Sequence, residues 1–187
     1  MHSLVIFNGS ARKGQYTEHV TAFVKKIATA TGNWHCTVID PREYNFVLDD
    51  EGPTAGRAEI TAAMADADAF VVVAPEYNHS YSGSLKYLLD LNMKEYIHKP
   101  VACIGVSSGP FGGTRVIESL MPVLREVGMV TSFADVNVSK VGEEITDGQF
   151  QNPEKWEKRM QAMLQELYWL SQTLQYGRKN IASKHHE

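Results

Sequence analysis

The chain has 187 residues, of which 43% are hydrophobic and 21% charged, with a formal net charge of -4. This length and composition are typical of one globular domain, and we expect a single domain over residues 1–187. The charges are mixed and form no basic run, so the sequence does not have the basic patch typical of a nucleic-acid-binding protein. No apolar stretch has the character of a membrane span or a signal peptide. We therefore expect a cytoplasmic location.

Five apolar runs alternate with segments of helical periodicity along the chain. Continuous apolar runs are typical of strands buried on both faces of a parallel sheet, and their alternation with helices favours an α/β fold with helices on both faces. The segment 41–56 is predicted to be irregular, and the polar tail from about 178 is predicted to fray. In chain order we predict strand 4–7, helix 15–31, strand 36–39, helix 57–66, strand 69–74, helix 83–91, strand 101–106, helix 113–127, strand 130–138 and helix 153–176.

Three of the predicted strands end in loops of small or polar residues, at 8–14, 75–80 and 107–113. In open α/β sheets, ligands bind outside the carboxyl ends of the strands. We therefore expect the three loops to meet at one edge of the sheet and to form a single site there.

The first loop has the composition of a phosphate site. It precedes a helix, whose N-terminus offers unpaired N–H groups and a favourable dipole. Ser10 and Thr17 supply hydroxyl groups, and Arg12 supplies a planar guanidinium. The loop matches neither the G-x-G-x-x-G dinucleotide fingerprint nor the G-x-x-x-x-G-K-[ST] phosphate loop of NTPases. The pattern therefore favours a monophosphate.

The second and third loops are suited to a flat ligand. Tyr77 stands at the end of a strand, where an aromatic side chain can cover one face of a flat ring. The third loop contains Gly109 and a further glycine pair, which let the backbone approach a ligand closely, while Ser107 and Ser108 add hydroxyl groups.

Together these loops resemble the NAD(P)H-dependent FMN reductase family, which includes bacterial azo-dye, quinone and chromate reductases. The resemblance covers roughly residues 3–140 and implies a flavodoxin-like, five-stranded parallel sheet of order 2-1-3-4-5. It also implies bound FMN and a homodimer or homotetramer. The motifs that carry it are Gly9-Ser10-Ala11-Arg12-Lys13-Gly14, Pro75-Glu76-Tyr77-Asn78, Gly83-Ser84-Leu85-Lys86 with Leu89-Asp90, and Gly112-Gly113 before a helix.

The resemblance also implies the activity and the site. A nicotinamide cofactor, NADPH or NADH, passes hydride to FMN, which reduces a small-molecule acceptor such as a quinone, azo dye, metal oxyanion or flavin. Because the cofactor carries this chemistry, no side chain is predicted to be catalytic. By motif, the phosphate falls on Ser10, Arg12 and Thr17, and the flavin ring falls on Pro75, Glu76, Tyr77, Asn78, Ser107, Ser108 and Gly109. A departure from the family is His79, where relatives often have glycine.

Two alternatives remain open from the sequence. An electron-carrier flavodoxin would bind FMN without oxidising a nicotinamide. A serine hydrolase is suggested by G-x-S-x-G around Ser107, followed by Asp135 and then by His185 and His186.

The sequence leaves the preference between NADPH and NADH open. Arg115 and Lys86 are candidates for recognising the 2′-phosphate of NADPH, because both lie near the ligand loops.

The histidines are scattered, and the two cysteines, Cys36 and Cys103, form no zinc-like pattern, so no metal site is predicted.

Overall fold

A six-stranded parallel sheet forms the centre of the molecule in the computed structural model, which describes residues 1–44 and 57–185. The strand order is β2-β1-β3-β4-β5, with β6 also paired to β4. This confirms the predicted parallel sheet and its order. The strands are β1 His2–Asn8, β2 Trp34–Ile39, β3 Ala69–Pro75, β4 Pro100–Val106, β5 Val130–Thr131 and β6 Val136–Val138.

Helices cover both faces of the sheet, as predicted. Residues of α1 and α6 share one apolar core with one face, and residues of α2, α3 and α4 share a second core with the other. Strands β3 and β4 are buried at every position, which explains their uninterrupted apolar sequence. The helices are α1 Thr17–Ala30, α2 Arg57–Asp66, α3 Gly83–Asp90, α4 Thr114–Glu126, the short α5 Val141–Glu144 and α6 Pro153–Asn180.

The predicted fifth strand, 130–138, is wrong as a single element. It is divided into β5 and β6, which pair with the start and the end of β4 in registers that differ by two residues. Between them the chain leaves the sheet at Ser132, whose hydroxyl accepts a hydrogen bond from the N–H of Ala134 at 3.1 Å. The side chain of Phe133 is exposed. The predicted five-stranded sheet therefore has six strands.

Shorter elements were not predicted. Two 3-10 helices cover Pro41–Glu43 and Lys94–Tyr96, and an antiparallel hairpin of β7 Ile145–Thr146 and β8 Gln149–Phe150 follows α5. The first 3-10 helix falls within the segment predicted to be irregular, and the remainder of that segment, 45–56, lies outside the described residues.

The last helix continues beyond its predicted end near 176. It ends at Asn180, about one turn later, and the prediction of fraying from about 178 stays a prediction. Arg178 donates a hydrogen bond to the carbonyl of His98 at 2.8 Å, and Gln175 donates to Asp68 at 2.8 Å. These contacts tie the end of α6 to the base of the sheet. Among the helices that the structure describes, none has the length and apolar character needed to cross a membrane.

Candidate active site

The loop after β1 is folded by its own side chains. The N–H of Gly9 donates to the carbonyl of Val73 at 2.9 Å, and a Cβ added to Gly9 would lie 2.4 Å from the same oxygen, so only glycine fits there. Gln15 donates through Nε2 to the carbonyl of Ser10 at 2.6 Å and accepts a hydrogen bond from the hydroxyl of Thr17. The loop is therefore preformed.

Helix α1 begins at this loop without a side-chain cap. Its N-cap is Tyr16, which makes no capping hydrogen bond through its side chain. The first-turn N–H groups therefore have no side-chain partner from the cap, and together with the helix dipole they favour an anion. Glu18, the acidic residue of the first turn, lies 2.8 Å from Arg42, which offsets its charge.

A hydrogen-bonded network of Asn8, Asp40 and Arg42 lies next to the start of this loop. Asn8, at the end of β1, donates to Asp40 at 2.8 Å, and Arg42 contacts the same carboxylate at 2.7 Å. Burial raises the pKa of Asp40, but hydrogen bonds from the side chain and the N–H of Arg42 and from Asn8 outweigh it, and the net pKa is lowered. Asp40 is thus held ionised beneath β1.

The loop after β3 folds as a tight turn. The backbones of Tyr77 and Ser80 exchange two hydrogen bonds, of 2.8 and 3.0 Å. The two central residues, Asn78 and His79, both have positive φ, of 49° and 66°. This is the pattern of a type I′ turn, which tolerates asparagine well and histidine less readily.

The first and second loops are joined through Tyr77. Its hydroxyl oxygen lies 2.8 Å from the Ser10 Oγ, and the Arg12 guanidinium lies 5.3 Å from the centre of its ring. The N–H of the preceding residue, Glu76, donates to the carbonyl of Val106 at 2.9 Å, which fixes the turn against the end of β4.

The third loop packs closely on β4. A Cβ on Gly105 would lie 2.7 Å from the carbonyl oxygens of Gly112 and Gly113, so glycine at this strand position allows the loop to approach. The Ser107 hydroxyl donates to the carbonyl of Gly109 at 3.1 Å, and the N–H of Lys140 donates to that carbonyl at 3.0 Å.

These loops enclose two adjoining clefts. The inner cleft, of about 180 Å³, lies over the start of α1, and the outer cleft, of about 460 Å³, lies over the start of α4. They share Glu76, Ser107 and Ser108, so together they form one groove along the carboxyl ends of the strands. The inner cleft is lined by Arg12, Gly14, Gln15, Tyr16, Thr17, Pro75, Glu76, Tyr77, Val106, Ser107, Ser108 and Val141, and the outer by Glu76, Asn78, His79, Ser107, Ser108, Gly109, Pro110, Phe111 and Arg115.

The structure thus brings together nine of the ten site residues expected from sequence, and places Ser10 differently. Ser10 lines neither cleft: its side chain is fully buried, and its hydroxyl bonds to Tyr77 and to the N–H of Arg12. Nine further lining residues are not among those ten: Gly14, Gln15, Tyr16, His79, Val106, Pro110, Phe111, Arg115 and Val141. Gln15 and Tyr16 directly follow the motif Gly9–Gly14, whereas Val141 comes from α5, a four-residue helix without a sequence signal.

Glu76 is the acidic residue of the groove. One carboxylate oxygen accepts a hydrogen bond from Arg115 at 3.2 Å, and the side chain is only 9% exposed. The second oxygen, Oε2, is buried without a hydrogen-bond partner among the described residues.

The serine-hydrolase alternative fails on geometry. The Ser107 hydroxyl bonds to the carbonyl of Gly109, at the carboxyl end of β4. His185 lies 6.1 Å from the ring of His98, which precedes the opposite end of β4. The other histidine of that hypothesis, His186, lies outside the described residues. Within 1–44 and 57–185, no three His, Cys, Asp or Glu side chains are grouped to hold a metal ion.

The fold and groove define a class of protein: a flavodoxin-like α/β protein with an arginine-bearing loop between its first strand and first helix and a groove along the carboxyl edge of its sheet. Residues 2–143 match the family described as NADPH-dependent FMN reductase, and the chain belongs to that family.

Relatives of known name agree with this assignment. The FMN-dependent NADPH-azoreductase of Staphylococcus aureus (strain USA300) is 36% identical over 167 residues, which are 81% of this chain and 88% of that protein. The NADPH azoreductase of Bacillus sp. (strain OY1-2) is 30% identical over 118 residues, or 63% of this chain, and the match spans just under two thirds, 65%, of that protein.

A solved structure supports the fold. The flavoenzyme NAD(P)H:(acceptor) oxidoreductase FerB from Paracoccus denitrificans superimposes with a TM-score of 0.76 at 21% identity, covering 92% of this chain and 98% of that chain. At this identity the likeness concerns the fold alone.

Proposed function

We propose that this protein binds FMN in the groove and uses NADPH to reduce a small-molecule acceptor such as a quinone or an azo dye. The observation that carries the proposal is that the two clefts adjoin, with Glu76, Ser107 and Ser108 in the lining of both. One end of the groove has the chemistry of a phosphate site, and the other is walled by loop backbone suited to a flat ring.

The residues present fit FMN. Its phosphate requires N–H donors and a cation, which the uncapped start of α1 and Arg12 supply. Its ring requires a flat-sided slot with backbone nearby, and the turn at 75–78 and the loop at 107–109 supply it. Thr17 also faces the inner cleft, whereas Ser10 would act through Tyr77.

When bound, FMN would supply the two-electron redox chemistry that links the oxidation of NADPH to the reduction of the acceptor. The protein binds and orients. The carbonyls of Ser107 and Gly109 are held by the N–H groups of Val141 and Lys140, at 3.1 and 3.0 Å, so the loop between them is preorganised. We propose that the N–H groups of Ser108 and Gly109 stabilise the negative charge that develops on the reduced ring.

An absorbance spectrum tests the proposal directly. The purified protein is mixed with FMN, and its spectrum is recorded before and after anaerobic addition of NADPH. A protein-bound flavin band at about 450 nm that bleaches with NADPH is the expected result. Bound flavin that keeps its colour with both NADPH and NADH would make the protein an electron carrier, and the absence of flavin binding would refute the proposal.

We also propose a cytosolic location and assembly as a homodimer or homotetramer. The cytosolic location is supported by Cys36 and Cys103, which are both free thiols, as expected in a reducing compartment. The assembly rests on the family resemblance. Size-exclusion chromatography with light scattering on the FMN-loaded protein measures it, and a monomeric mass at micromolar concentration would contradict it.

A further inference from the structure

The outer cleft contains one strong cation that the proposed flavin site does not use. Arg115 is the only arginine or lysine among the described residues that line this cleft. The other candidate from sequence, Lys86, lines neither cleft and instead pairs with Asp90 at 2.5 Å on the exposed face of α3. The structure therefore separates two residues that sequence position left equivalent.

The guanidinium of Arg115 is held from two sides. Its Nη1 donates to Glu76 at 3.2 Å, and its Cζ lies 4.8 Å from the centre of the Phe111 ring. A guanidinium carries five N–H donors, and the contact with Glu76 uses one of them. Arg115 is 44% exposed, so its other donors are accessible to a ligand in the cleft. A preorganised arginine binds an anion at a lower entropic cost.

Arg115 adds to the positive potential at the N-terminus of α4. It lies in the first turn of α4, which contains no acidic residue and whose N-cap, Gly113, provides no side-chain cap. A cation in the first helical turn opposes the helix dipole and is unfavourable for stability. The helix end and the guanidinium together attract an anion, which gives this unfavourable placement a functional reason.

Two further features indicate an aromatic ligand with a hydrogen-bond donor. Phe111 is 59% exposed at the mouth of the cleft, where its ring is available for stacking. Glu76 lines both clefts, and its Oε2 is buried without a hydrogen-bond partner among the described residues. Leaving this oxygen unsatisfied costs free energy that an N–H or O–H group of a ligand in either cleft would recover.

We propose that Arg115 and Phe111 form a substrate subsite that binds the anionic group of a planar aromatic substrate, with Glu76 as the positioning residue for Arg115. This subsite rests on the proposed function, because the substrate has to lie beside the flavin. Two substrates have the required chemistry: the phosphates of the nicotinamide nucleotide, or a sulfonate or carboxylate on an aromatic acceptor.

Equilibrium binding to the FMN-loaded protein tests the subsite without turnover. The probes are oxidised NADP⁺, NAD⁺, a sulfonated azo dye and a neutral benzoquinone, each titrated by calorimetry. The test variant is Arg115→Gln, and the matched control is Arg125→Gln, which removes an exposed arginine from the last turn of the same helix. Arg115→Gln is expected to raise the Kd of the anionic substrate roughly 10- to 100-fold, because a hydrogen bond to a charged group is lost.

The pattern of losses identifies the anion. If Arg115→Gln loses affinity for NADP⁺ but not for NAD⁺, the 2′-phosphate binds Arg115. If it loses affinity for both nucleotides equally, the pyrophosphate binds there. A loss confined to the sulfonated dye assigns the subsite to the acceptor. Unchanged affinity for all four probes, within about twofold, would overturn the proposal.

Further measurements separate this proposal from the proposed function. Flavin affinity, followed by the quenching of FMN fluorescence, is expected to stay the same in Arg115→Gln. If neither protein binds FMN, the proposed function fails, and NADP⁺ titration of the flavin-free protein still tests the subsite. If Arg115→Gln fails to fold, Arg115→Lys keeps the charge but loses the planar fork, and an intermediate increase in Kd is expected. Wild-type affinity in Arg115→Lys would then count against the subsite.

Discussion

The hydroxyl oxygens of Ser10 and Tyr77 lie 2.8 Å apart and connect two loops that are 67 residues apart in sequence. Ser10 is fully buried, whereas Tyr77 is half-buried and lines the inner cleft. Arg12 lies against the other side of this junction, 5.3 Å from the centre of the Tyr77 ring. The Ser10–Tyr77 contact therefore connects the loop at the end of the groove suited to a phosphate with the loop at the end suited to a ring.

Tyr77→Phe is expected to weaken FMN binding by about three- to tenfold, because it removes one hydrogen bond of ordinary net strength and leaves the ring in place. The Kd is measured by quenching of flavin fluorescence. The matched control is Tyr176→Phe, which removes the hydroxyl of an exposed tyrosine on α6, outside both clefts. Equal affinities in the two variants would show that the Ser10–Tyr77 contact does not support the site.

Arg12→Gln is expected to weaken FMN binding roughly 10- to 100-fold, since a charge-assisted contact with phosphate is lost. Riboflavin, which has no phosphate, is expected to bind both proteins with the same affinity. Lys13→Gln is the control, because Lys13 is an exposed neighbour that lines neither cleft. A similar loss for riboflavin would mean that Arg12 acts on the ring end through Tyr77.

Gly9→Ala is expected to lower the free energy of unfolding by about 1–3 kcal/mol, the usual range for overpacking. The new Cβ would lie 2.4 Å from the carbonyl oxygen of Val73 and 3.0 Å from Cδ of Pro75, and neither atom belongs to a flexible side chain that could move away. Gly83→Ala is the control, because a Cβ there meets nothing within 4 Å at the start of α3. Chemical denaturation measures both variants. A Gly9→Ala protein as stable as Gly83→Ala would contradict the close approach.

Lys99 gives a pH dependence of stability with a defined sign. Its side chain is buried, and its Nζ donates to the carbonyls of Met64 and Ala65 at 2.8 and 2.7 Å. Burial lowers the pKa of Lys99 from 10.5 to about 8. Below pH 8 the cost of burying the charged ammonium group lowers the free energy of unfolding in full. Between about 8 and 10.5 the unfolded chain binds more protons than the folded protein, so the free energy of unfolding rises with pH.

Comparison with Lys99→Met isolates this effect. The free energy of unfolding of the wild type minus that of the variant is expected to increase with pH, by at most about 1.4 kcal/mol per pH unit. The two carbonyls left without a donor in the variant change the offset between the curves and not their slopes. Denaturant titrations between pH of about 7 and 10 measure both proteins. Parallel curves would contradict the lowered pKa.

The sequence predicted the sheet well, because the pattern of burial is local. Continuous apolar runs such as 69–74 and 101–106 are the direct signature of strands covered on both faces, and the structure buries every residue of β3 and β4. The division of the fifth strand was missed because it depends on a hydrogen bond from the N–H of Ala134 to the hydroxyl of Ser132 and on a register shift, neither of which is visible in the apolar pattern of the segment.

The partners of individual side chains were less predictable. Glu76 and Arg115 are 39 residues apart and pair only because β3 and β4 are neighbours and the glycine loop brings the start of α4 beside the turn after β3. Val141 reaches the inner cleft from α5, and the end of α6 is held by Asp68 and His98. Such contacts depend on strand order and register, which no local pattern encodes.

By itself, then, the sequence determined the parallel α/β class, the edge of the sheet where the three loops meet and which loops form the groove. Those properties follow from burial periodicity, from strand-to-helix alternation and from the conformational freedom of glycine at particular turns. Only the tertiary structure decided that Ser10 is buried and bonded to Tyr77, that Arg115 rather than Lys86 lines the groove, and that the two clefts adjoin. The physical reason is that these are relations between segments distant in the chain, fixed by how the sheet and both helical layers pack together.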